Sequence, residues 1–394
     1  MRPLRVLAVH AGDELYGSDR VFYDVMTGLD PARFQPLVVL PADIPGGGEL
    51  SRRLARAGIE AQRRNLAVLR RRYLGPVGLP VLLTRLLGDI VALSRKLRRQ
   101  RIDLVYSSTT AVPGAAMAAM AAGLPHVWHV HEIVESPWWM AGFLRACLSR
   151  LSTEIIAVSE ATSAWIGAGG RPISVIRNGI DEPRPTPSVR ASLRGRLLDG
   201  GRGQLVGWVG RVSAWKGHEV FVDMAERAAG RHPDCRFVLA GGPVPGQEAL
   251  ITALQRRLGE SPHRERIRYL GLVPDGPALV AALDVLVACP TRPDPFPRVV
   301  EEALWQGVPV LAVRTGGLPE LVDDGRTGLL TPAADPVQLA DALADLLQPA
   351  IRRPMEDEAR RRAGELALPA FLKAVSEVLV RAYARGRRRD HAPE

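Results

Sequence analysis

The sequence predicts an α/β protein built from two doubly wound domains, and three observations point to that fold class. Strand-like runs alternate with amphipathic or alanine-rich helical stretches from one end of the chain to the other. The strand-like runs are continuously hydrophobic, as in parallel strands that are buried on both faces. At 394 residues, the chain is also too long for one ordinary hydrophobic core. We therefore expect two parallel sheets, each covered by helices on both faces.

Nine runs are predicted as strands, five of them before a break at residues 181–203 and four after it. The earlier five are RVLAVH, PLVVL, LVYSS, HVWHVH and EIIAVS, and the later four are QLVGWVG, RFVLAGG, VLVAC and VPVLAV. The break is rich in proline, glycine and charge, which is typical of a linker. We predict a first domain at 1–182, a linker at 183–203, a second domain at 204–365, and a C-terminal helix with a basic tail at 366–394.

Composition narrows the class of protein. Hydrophobic residues make up 46% of the chain and charged residues 24%, which is typical of a soluble globular protein. Cys147, Cys235 and Cys289 lie far apart and form no Cys-x-x-Cys pair, which argues against a disulfide framework or a thiolate zinc site. The N-terminal run is interrupted by His10 and indicates a first strand rather than a signal peptide. We therefore predict a cytoplasmic location.

The formal charge of +10 is concentrated in one tract. Residues 1–180 carry 22 Lys and Arg against 14 Asp and Glu, and residues 52–101 alone carry 14 basic residues and two acids, Glu60 and Asp89. Arginines mixed with Leu, Val and Ile, with Tyr73 beside three arginines, suit a surface that rests on anionic lipid. The alternative is an ordinary helix pair with a solvated arginine face. We expect no nucleic-acid partner, and a peripheral position on the inner face of the cytoplasmic membrane is the hypothesis to test.

Three loops of the second half follow predicted strands, where doubly wound sheets bind their ligands. In GRVSAWKG, Arg211 and Lys216 flank a turn before a helix that begins near His218. Two cations beside a helix N-terminus suit a diphosphate. The alternative is a solvated basic loop.

The second loop begins the segment DPFPRVVEE and carries two acids, Asp294 and Glu302, separated by seven residues. Pro297 suits the first turn of a helix, because its missing N–H is no loss there. A carboxylate pair suits a polyol, since each oxygen accepts hydrogen bonds from neighbouring hydroxyls. The alternative is that Asp294 caps the helix and Glu302 is solvated.

The third loop, TGG, places Gly316 and Gly317 between a strand and a helix, where backbone can come close to a ligand; an ordinary tight turn is equally compatible. In the first half, Gly17 lies in YGSDR after the first strand, a pattern that is neither a dinucleotide nor a P-loop motif. His129 and His131 share one face of a strand, with Glu132 beside them. A third metal ligand is not evident, so a catalytic or substrate-contacting role for His131 is favoured over a metal site.

Taken jointly, these motifs resemble glycosyltransferase family 4, the retaining nucleotide-sugar transferases of the GT-B fold. The acid-x7-acid segment from Asp294 to Glu302 continues as EALWQGVPVLA and TGGLPELV, as it does in that family. GRVSAWKG resembles its arginine–lysine loop, VIRNGID at 175–181 its interdomain segment, and AVSE its Val-Ser-Glu/Asp. Asp294 stands where the family usually has Glu, and Pro297 where Gly is common.

The resemblance implies two Rossmann-like domains facing across a cleft, with the C-terminal helix crossing back to the first domain. It implies transfer of a sugar from a nucleoside diphosphate to a hydroxyl acceptor with retention, without a metal or other cofactor. His131, Arg211, Lys216 and Asp294 would be catalytic, with His131 orienting donor or acceptor and the two cations stabilising the leaving diphosphate. The donor would be bound by Gly17, Arg211, Lys216, Asp294, Phe296, Pro297, Arg298, Val299, Glu302, Gly316 and Gly317, with Glu302 on the ribose hydroxyls.

The acceptor expected from the resemblance is a cell-envelope polysaccharide or glycoconjugate, lipid-linked in one version of the hypothesis. Glycosylation of a small secondary metabolite is the alternative. A sugar-nucleotide epimerase or a phosphorylase on a similar scaffold is a rival enzyme class. A polyanion-binding protein that uses residues 52–101 is the rival outside enzymology.

Overall fold

The computed structural model describes residues 2–44, 47–70, 73, 75, 77–167, 169–244 and 246–389. Its strands are β1 Leu4–His10, β2 Phe34–Pro41, β3 Ala61–Arg64, β4 Leu104–Ser108, β5 His126–Val130, β6 Glu154–Ala157, β7 Ile173–Val175, β8 Gln204–Val209, β9 Cys235–Ala240, β10 Ile267–Tyr269, β11 Val285–Ala288, β12 Val310–Val313 and β13 Gly328–Thr331.

Among the described residues, a helix connects every pair of consecutive strands. They are α1 Gly17–Gly28, α2 Glu49–Arg56, α3 Gly78–Arg99, α4 Pro113–Ala121, α5 Trp138–Leu151, α6 Glu160–Ile166, α7 Pro187–Leu197, α8 His218–Arg231, α9 Ala249–Glu260, α10 Gly276–Ala282, α11 Arg298–Trp305, α12 Leu318–Leu321, α13 Pro336–Leu346, α14 Pro349–Gly364 and α15 Leu368–Arg389.

The chain divides into two units, each with its own parallel sheet. The first unit, Met1–Gly179 with Leu368–Glu394, holds seven strands in the order β3-β2-β1-β4-β5-β6-β7. The second, Ile180–Ala367, holds six in the order β10-β9-β8-β11-β12-β13. All strand pairs within both sheets are parallel. The predicted α/β class with two Rossmann-like sheets is therefore confirmed.

The first sheet is covered on both faces, and the alternation along β1 shows how. Val6 and Ala8 join one buried cluster with side chains of α1, α2 and α15. Leu7 and Val9 point the other way and join a cluster with side chains of α3 and α4. Helix α5 extends that second layer over β5 and β6. Because both faces are buried, the sequence of β1 is continuously apolar.

The C-terminal helix α15 packs on the first sheet, as the resemblance implied. Glu154 on β6 is 1% exposed, and both Arg381 and Arg385 of α15 reach its carboxylate, at 3.3 and 3.4 Å. A buried carboxylate needs partners of this kind, because burying an unpaired charge is costly. The final helix therefore belongs to the first domain.

The segment predicted as a linker, 183–203, contains a helix. α7 begins at Pro187 and packs against α10 of the second domain. Arg194 on α7 fixes it there, because its guanidinium donates to the Ala282 carbonyl at 2.8 Å and pairs with Asp284 at 2.8 Å. This stretch therefore forms part of the second domain.

Candidate active site

Three neighbouring strands of the second sheet end beside one another and carry the three loops singled out in the sequence. β8, β11 and β12 are adjacent in the sheet order. The loop from Gly210 to Gly217 follows β8, the loop from Cys289 to Pro297 follows β11, and the Thr315–Gly317 turn follows β12. Because parallel strands end at the same edge, these loops form one surface at the carboxyl edge of the second sheet.

The first of these loops is held in place by contacts to its backbone at Lys216 and Gly217. Trp208 donates its indole N–H to the Lys216 carbonyl at 3.1 Å. Gly217 has φ +80°, and a Cβ on it would lie 1.8 Å from the Cys289 carbonyl oxygen, so only glycine fits there. Helix α8 begins at the next residue, His218. Lys216 is therefore held directly in front of a helix N-terminus.

Lys216 and Asp294 form an ion pair across two of the loops. The Lys216 ammonium lies 2.5 Å from Oδ2 of Asp294, which is buried. The ammonium also lies 4.6 Å from the ring centroid of Trp215. The sequence interpretation gave these two residues independent roles, a cation for diphosphate and an acid for sugar. The structure places them together, as one ion pair without net charge.

The glycine turn after β12 packs closely against the loop that carries Asp294. Gly317 donates its N–H to the Asp294 carbonyl at 2.8 Å. A Cβ on Gly316, where φ is +57°, would lie 2.1 Å from that same carbonyl oxygen, and a Cβ on Gly317 would lie 2.1 Å from the Pro295 carbonyl oxygen. The two glycines were expected to admit a ligand. The structure adds a second reason for glycine here, because both positions lie against the backbone that carries Asp294.

Helix α11 continues from this loop. Pro297 is the N-cap residue, one position before the helix rather than in its first turn, and both Phe296 and Pro297 are buried. Arg298 and Val299 are half-buried in the first turn. Glu302 is buried, and its Oε1 lies 3.9 Å from Nε of Arg298. The first two turns of α11 therefore bring a cation and an acid close together.

Arg211, the other predicted cation, is half-buried beside the end of β8. The loop after β9 supports it. Gly241 has φ +144°, and its missing Cβ would lie 1.8 Å from the Gly210 carbonyl oxygen. Val212 donates its N–H to the Gly242 carbonyl at 2.9 Å. Neither contact was predicted, because nothing in the spacing of this segment links it to β9.

Two predicted site residues, Gly17 and His131, lie at the carboxyl edge of the first sheet. Gly17 opens α1, and a Cβ on it would meet no atom within 4 Å, so the space beside it is open. His131 directly follows β5, with its ring centroid 4.1 Å from that of His129. His129 accepts or donates a 2.6 Å hydrogen bond with the hydroxyl of Tyr106. The two histidines therefore lie on the same face of the sheet, as predicted.

Burial makes these histidines neutral. It lowers the pKa of His129 to about 3, helped by the charge of His10, and it lowers the pKa of His131 well below its ordinary range, helped by His129 and His10. Both Nε2 atoms are buried, with no hydrogen-bond partner among the described residues. Neutral ring nitrogens of this kind can accept or donate to a hydroxyl.

Glu132, considered as a metal ligand beside the histidines, directs its carboxylate to two threonines. Its carboxylate accepts from the hydroxyls of Thr109 and Thr110 and, at 3.1 Å, from the Thr110 N–H. Thr109 has φ +107°, an uncommon conformation for a β-branched residue, and these contacts hold it there. Within the described part of the chain, no group of three or more His, Cys, Asp or Glu is placed to hold a metal ion.

A second polar contact at this edge was not predicted from the sequence. His10, at the end of β1, is buried, with Nε2 2.7 Å from Asp19 of α1 and Nδ1 2.8 Å from the Ser108 carbonyl oxygen. Gly12 makes room for it, because a Cβ there would lie 2.0 Å from the Asp19 carboxylate. The interruption of an apolar strand by His10 was the available signal.

Two parallel Rossmann-like sheets, with a lysine–acid pair and glycine turns at the carboxyl edge of the second, define the class of GT-B glycosyltransferases. Two family models match the chain: Glycosyltransferase Family 4 over residues 16–184 and Glycosyl transferases group 1 over residues 203–349. Together they span most of the sequence. The chain is therefore a glycosyltransferase of the family 4 type.

Known relatives agree with that assignment. A D-inositol 3-phosphate glycosyltransferase of Corynebacterium glutamicum is 36% identical over 203 residues, which cover 50% of this chain and 46% of the relative. A lipopolysaccharide core biosynthesis mannosyltransferase, LpsB of Rhizobium meliloti, is 30% identical over 237 residues, 59% of this chain and 66% of the relative. The chain thus spans about half the length of the first of these relatives.

Solved structures share the fold across almost the whole chain. Anabaena Alr3699/HepE in complex with UDP-glucose has a TM-score of 0.81 at 23% identity, over 96% of this chain and 99% of that chain. Sucrose-phosphate synthase from Thermosynechococcus elongatus has a TM-score of 0.77 at 19% identity, over 97% of this chain and 100% of that chain. At these identities the likeness concerns the fold.

Proposed function

We propose that the protein transfers a glycosyl unit from a nucleoside diphosphate sugar to a hydroxyl acceptor, with retention of anomeric configuration. The observation that carries this proposal is the Lys216–Asp294 ion pair in front of α8. The Gly316–Gly317 turn packs against the backbone of Asp294 and holds the pair in place. That arrangement combines a fixed cation, a helix N-terminus and close-packed backbone at one sheet edge. An anionic leaving group is the ligand that it suits best.

In the proposed reaction, the bond between the anomeric carbon and the phosphate oxygen breaks, and a bond from that carbon to the acceptor oxygen forms on the same face. The acceptor proton passes to the departing phosphate oxygen, so the products are a glycoside and a nucleoside diphosphate. Negative charge gathers on the diphosphate as it leaves. Lys216, Arg211 and the first N–H groups of α8 stabilise that charge.

Asp294 has two tasks in this proposal. Before the donor binds, its buried carboxylate keeps the Lys216 ammonium in position and balances its charge. Once the diphosphate is present, the lysine shares its three N–H donors between carboxylate and phosphate. Asp294 is thereby free to accept from a sugar hydroxyl. His131 orients the donor or acceptor through its neutral ring.

The donor class is supported by the fold neighbour whose structure contains UDP-glucose, and by the transferase names of the relatives. We propose a cell-envelope polysaccharide or glycoconjugate as the acceptor. The relative that acts in lipopolysaccharide core biosynthesis supports an acceptor of that kind. A small secondary metabolite is the alternative acceptor.

We propose that no divalent metal takes part, since Lys216 and Arg211 supply the positive charge that a metal would bring to the diphosphate. Transfer should therefore survive EDTA. If chelation abolishes product formation and magnesium or manganese restores it, the charge in the reaction comes from a metal. Products also discriminate: an epimer formed without any acceptor, or a strict need for free phosphate, overturns the transferase proposal.

Replacing Lys216 tests the leaving-group assignment. Lys216→Ala should lower turnover at least tenfold, or about 1.4 kcal/mol of barrier, because it removes a cation from the departing diphosphate. Lys373→Ala is the matched control, since Lys373 is an exposed lysine on α15 of the first domain. Donor hydrolysis and transfer are measured for both proteins. Unchanged turnover in a folded Lys216→Ala protein contradicts the assignment.

A further inference from the structure

One face of the first domain carries most of the large apolar side chains that the molecule leaves in water. Among the described residues, thirteen large hydrophobic side chains are exposed. Six lie on or just before α3, one is Met120 on α4, and three are Trp138, Trp139 and Phe143 on α5. The remaining three are scattered over the second domain. We call the surface formed by α3, α4 and α5 the α3–α5 face.

The exposed side chains on α3 form a stripe. Leu79, Leu83, Leu87 and Val91 are four residues apart, so they lie on one side of the helix. Leu87 is 67% exposed. The opposite side of α3 packs into the sheet through other leucines, such as Leu93. The helix is therefore apolar on both sides, although only one side has a partner within the described chain.

The tryptophans on α5 add a second apolar group. Trp138 is 82% exposed at the first position of the helix, and Trp139 and Phe143 are exposed beside it. Helix α4 packs between α3 and α5, so the stripe and the tryptophans belong to one continuous layer on the sheet. Exposed apolar groups that cluster in this way mark an interaction surface.

The charges of the α3–α5 face are almost all positive. The three helices carry seven Lys and Arg and a single acid, Asp89, which is buried and accepts from the Ala67 N–H. Five arginines are exposed: Arg95, Arg98, Arg99, Arg145 and Arg150. The face thus joins apolar side chains to uncompensated positive charge. An anionic lipid surface complements both properties.

We propose that the α3–α5 face rests on an anionic bilayer, with Trp138, Trp139 and the α3 stripe entering the interface. Tryptophan favours this depth because its ring is apolar and its N–H stays hydrated. Arginines at the rim extend to lipid phosphates. None of the helices in the described residues is long and apolar enough to cross a membrane, so the contact is one of lying on the surface.

This surface overlaps only in part with the one that the basic tract at 52–101 suggested. Arg70 and Tyr73 within that tract turn inward, toward Asp43, at 3.4 and 2.9 Å. Arg71 and Arg72 lie outside the described residues. The proposed contact therefore keeps the α3 part of the tract and extends to α5, which the tract did not include.

The position of the α3–α5 face also indicates a class of acceptor. This step rests on the proposed function. Helix α5 begins a few residues after β5, so Trp138 and His131 follow the same strand end. We assign the acceptor hydroxyl to this edge, because the neutral ring of His131 suits a hydroxyl, and a membrane at the start of α5 would lie beside it. The acceptor class is then a lipid-linked hydroxyl presented by the bilayer itself.

Vesicle co-sedimentation at low salt tests the proposal. The probe is a vesicle of phosphatidylglycerol and phosphatidylcholine, compared with phosphatidylcholine alone. The wild-type protein should sediment with the anionic vesicles, and Leu83→Ser/Leu87→Ser/Trp138→Ser should bind at least tenfold less. The matched control is Val189→Ser/Leu272→Ser/Val337→Ser, which removes exposed apolar side chains of the second domain and should bind like wild type.

A charge pair of variants checks the electrostatic part. Arg95→Glu/Arg98→Glu/Arg99→Glu should weaken binding, whereas Arg387→Glu/Arg388→Glu, on α15 at the opposite face of the sheet, should not. Wild-type protein that stays in the supernatant overturns the proposal. So does equal loss in the control variants, or a dimer in solution that the apolar variant converts to monomer, since a second copy would then be the occupant. Donor hydrolysis without lipid measures the transferase separately and should be unchanged in every variant.

Discussion

At the carboxyl edge of the second sheet, Lys216 and Asp294 hold opposite full charges 2.5 Å apart. At the same edge of the first sheet, His129 and His131 are kept neutral by burial. The first arrangement needs a rigid frame, because both partners of a close ion pair must stay in register. Gly217, Gly316 and Gly317 supply that frame by letting three loops touch through their backbones.

This difference in charge indicates which kind of ligand each sheet edge can bind. Fixed charges suit a ligand that is itself charged, and a diphosphate is such a ligand. Neutral imidazoles suit hydroxyls, because they form hydrogen bonds without repelling or attracting a full charge. The division of labour that we propose, donor on the second domain and acceptor hydroxyl on the first, follows from that contrast.

The largest effect of any single substitution is expected from adding one methyl group to the frame. Gly316→Ala places a Cβ 2.1 Å from the Asp294 carbonyl oxygen, and it also forces a residue with a side chain into φ +57°. We expect a loss of about 3 kcal/mol of second-domain stability, because strain and clash add. Binding of a nucleoside diphosphate should fall with it.

Gly325→Ala is the matched control. Gly325 has φ +77° in the same domain, but a Cβ on it would meet no atom within 4 Å. It should cost only the backbone strain, about 1 kcal/mol, and leave nucleotide affinity unchanged. Urea unfolding and calorimetry give both quantities. Equal effects of the two variants would show that the packing of the glycine turn against Asp294 plays no part in donor binding.

The strands divide clearly into those that the sequence predicts and those that it does not. The nine predicted strands are the inner members of the two sheets, buried on both faces and continuously apolar. The four others, β3, β7, β10 and β13, are the two edges of each sheet. Edge strands are short and have only one neighbour, so they lack the apolar run that marks inner strands. AQRR of β3 is an example.

The site divides in a similar way. Its loops could be placed, because each follows an apolar strand and carries a contiguous motif. The ion pair between Lys216 and Asp294 was not predicted, since it joins residues 78 apart whose strands are neighbours only in the folded sheet. The positive φ of Thr109 and its contact with Glu132 left no pattern in the sequence either. Such contacts depend on register, which spacing alone does not encode.

The next prediction concerns pH, and it separates the two domains. Among the described residues, burial lowers the pKa of three histidines in the first domain, His126, His129 and His131, and of one in the second, His218. Their unfolded pKa is about 6.5. Stability from keeping them neutral is therefore complete above pH 6.5 and is lost as pH falls below it.

The first domain should lose stability faster in mild acid. For His126 and His129, whose folded pKa is about 3, the loss at pH 5 is about 2 kcal/mol each. Hydrogen exchange of β5 amides, compared with β11 amides, follows the two domains separately. His126→Gln should reduce the first-domain loss, and His263→Gln in the second domain should not. Parallel losses in both domains between pH 7 and 5 would remove the contrast.

The smallest effect is expected at Glu302, the second acid of the donor edge. It is buried in α11, with Nε of Arg298 3.9 Å from its Oε1. Glu302→Gln keeps the shape of the side chain but removes the charge that strengthens its hydrogen bonds to ribose hydroxyls. We expect affinity for uridine diphosphate to fall about fivefold, close to 1 kcal/mol, in calorimetry.

Two controls separate a ribose contact from an indirect role through Arg298. If Glu302 binds the ribose, wild-type protein should prefer uridine diphosphate over its 2′-deoxy analogue, and Glu302→Gln should lose that preference. Arg298→Met should weaken binding of both nucleotides alike, and its effect should add to that of Glu302→Gln, because the two side chains would contact different groups of the ligand. If Glu302 acts only by holding Arg298, the double variant will bind no worse than the single ones, and the preference for the ribose hydroxyl will survive. That outcome would leave Lys216 as the residue that defines the donor edge and would move the ribose contact to another group.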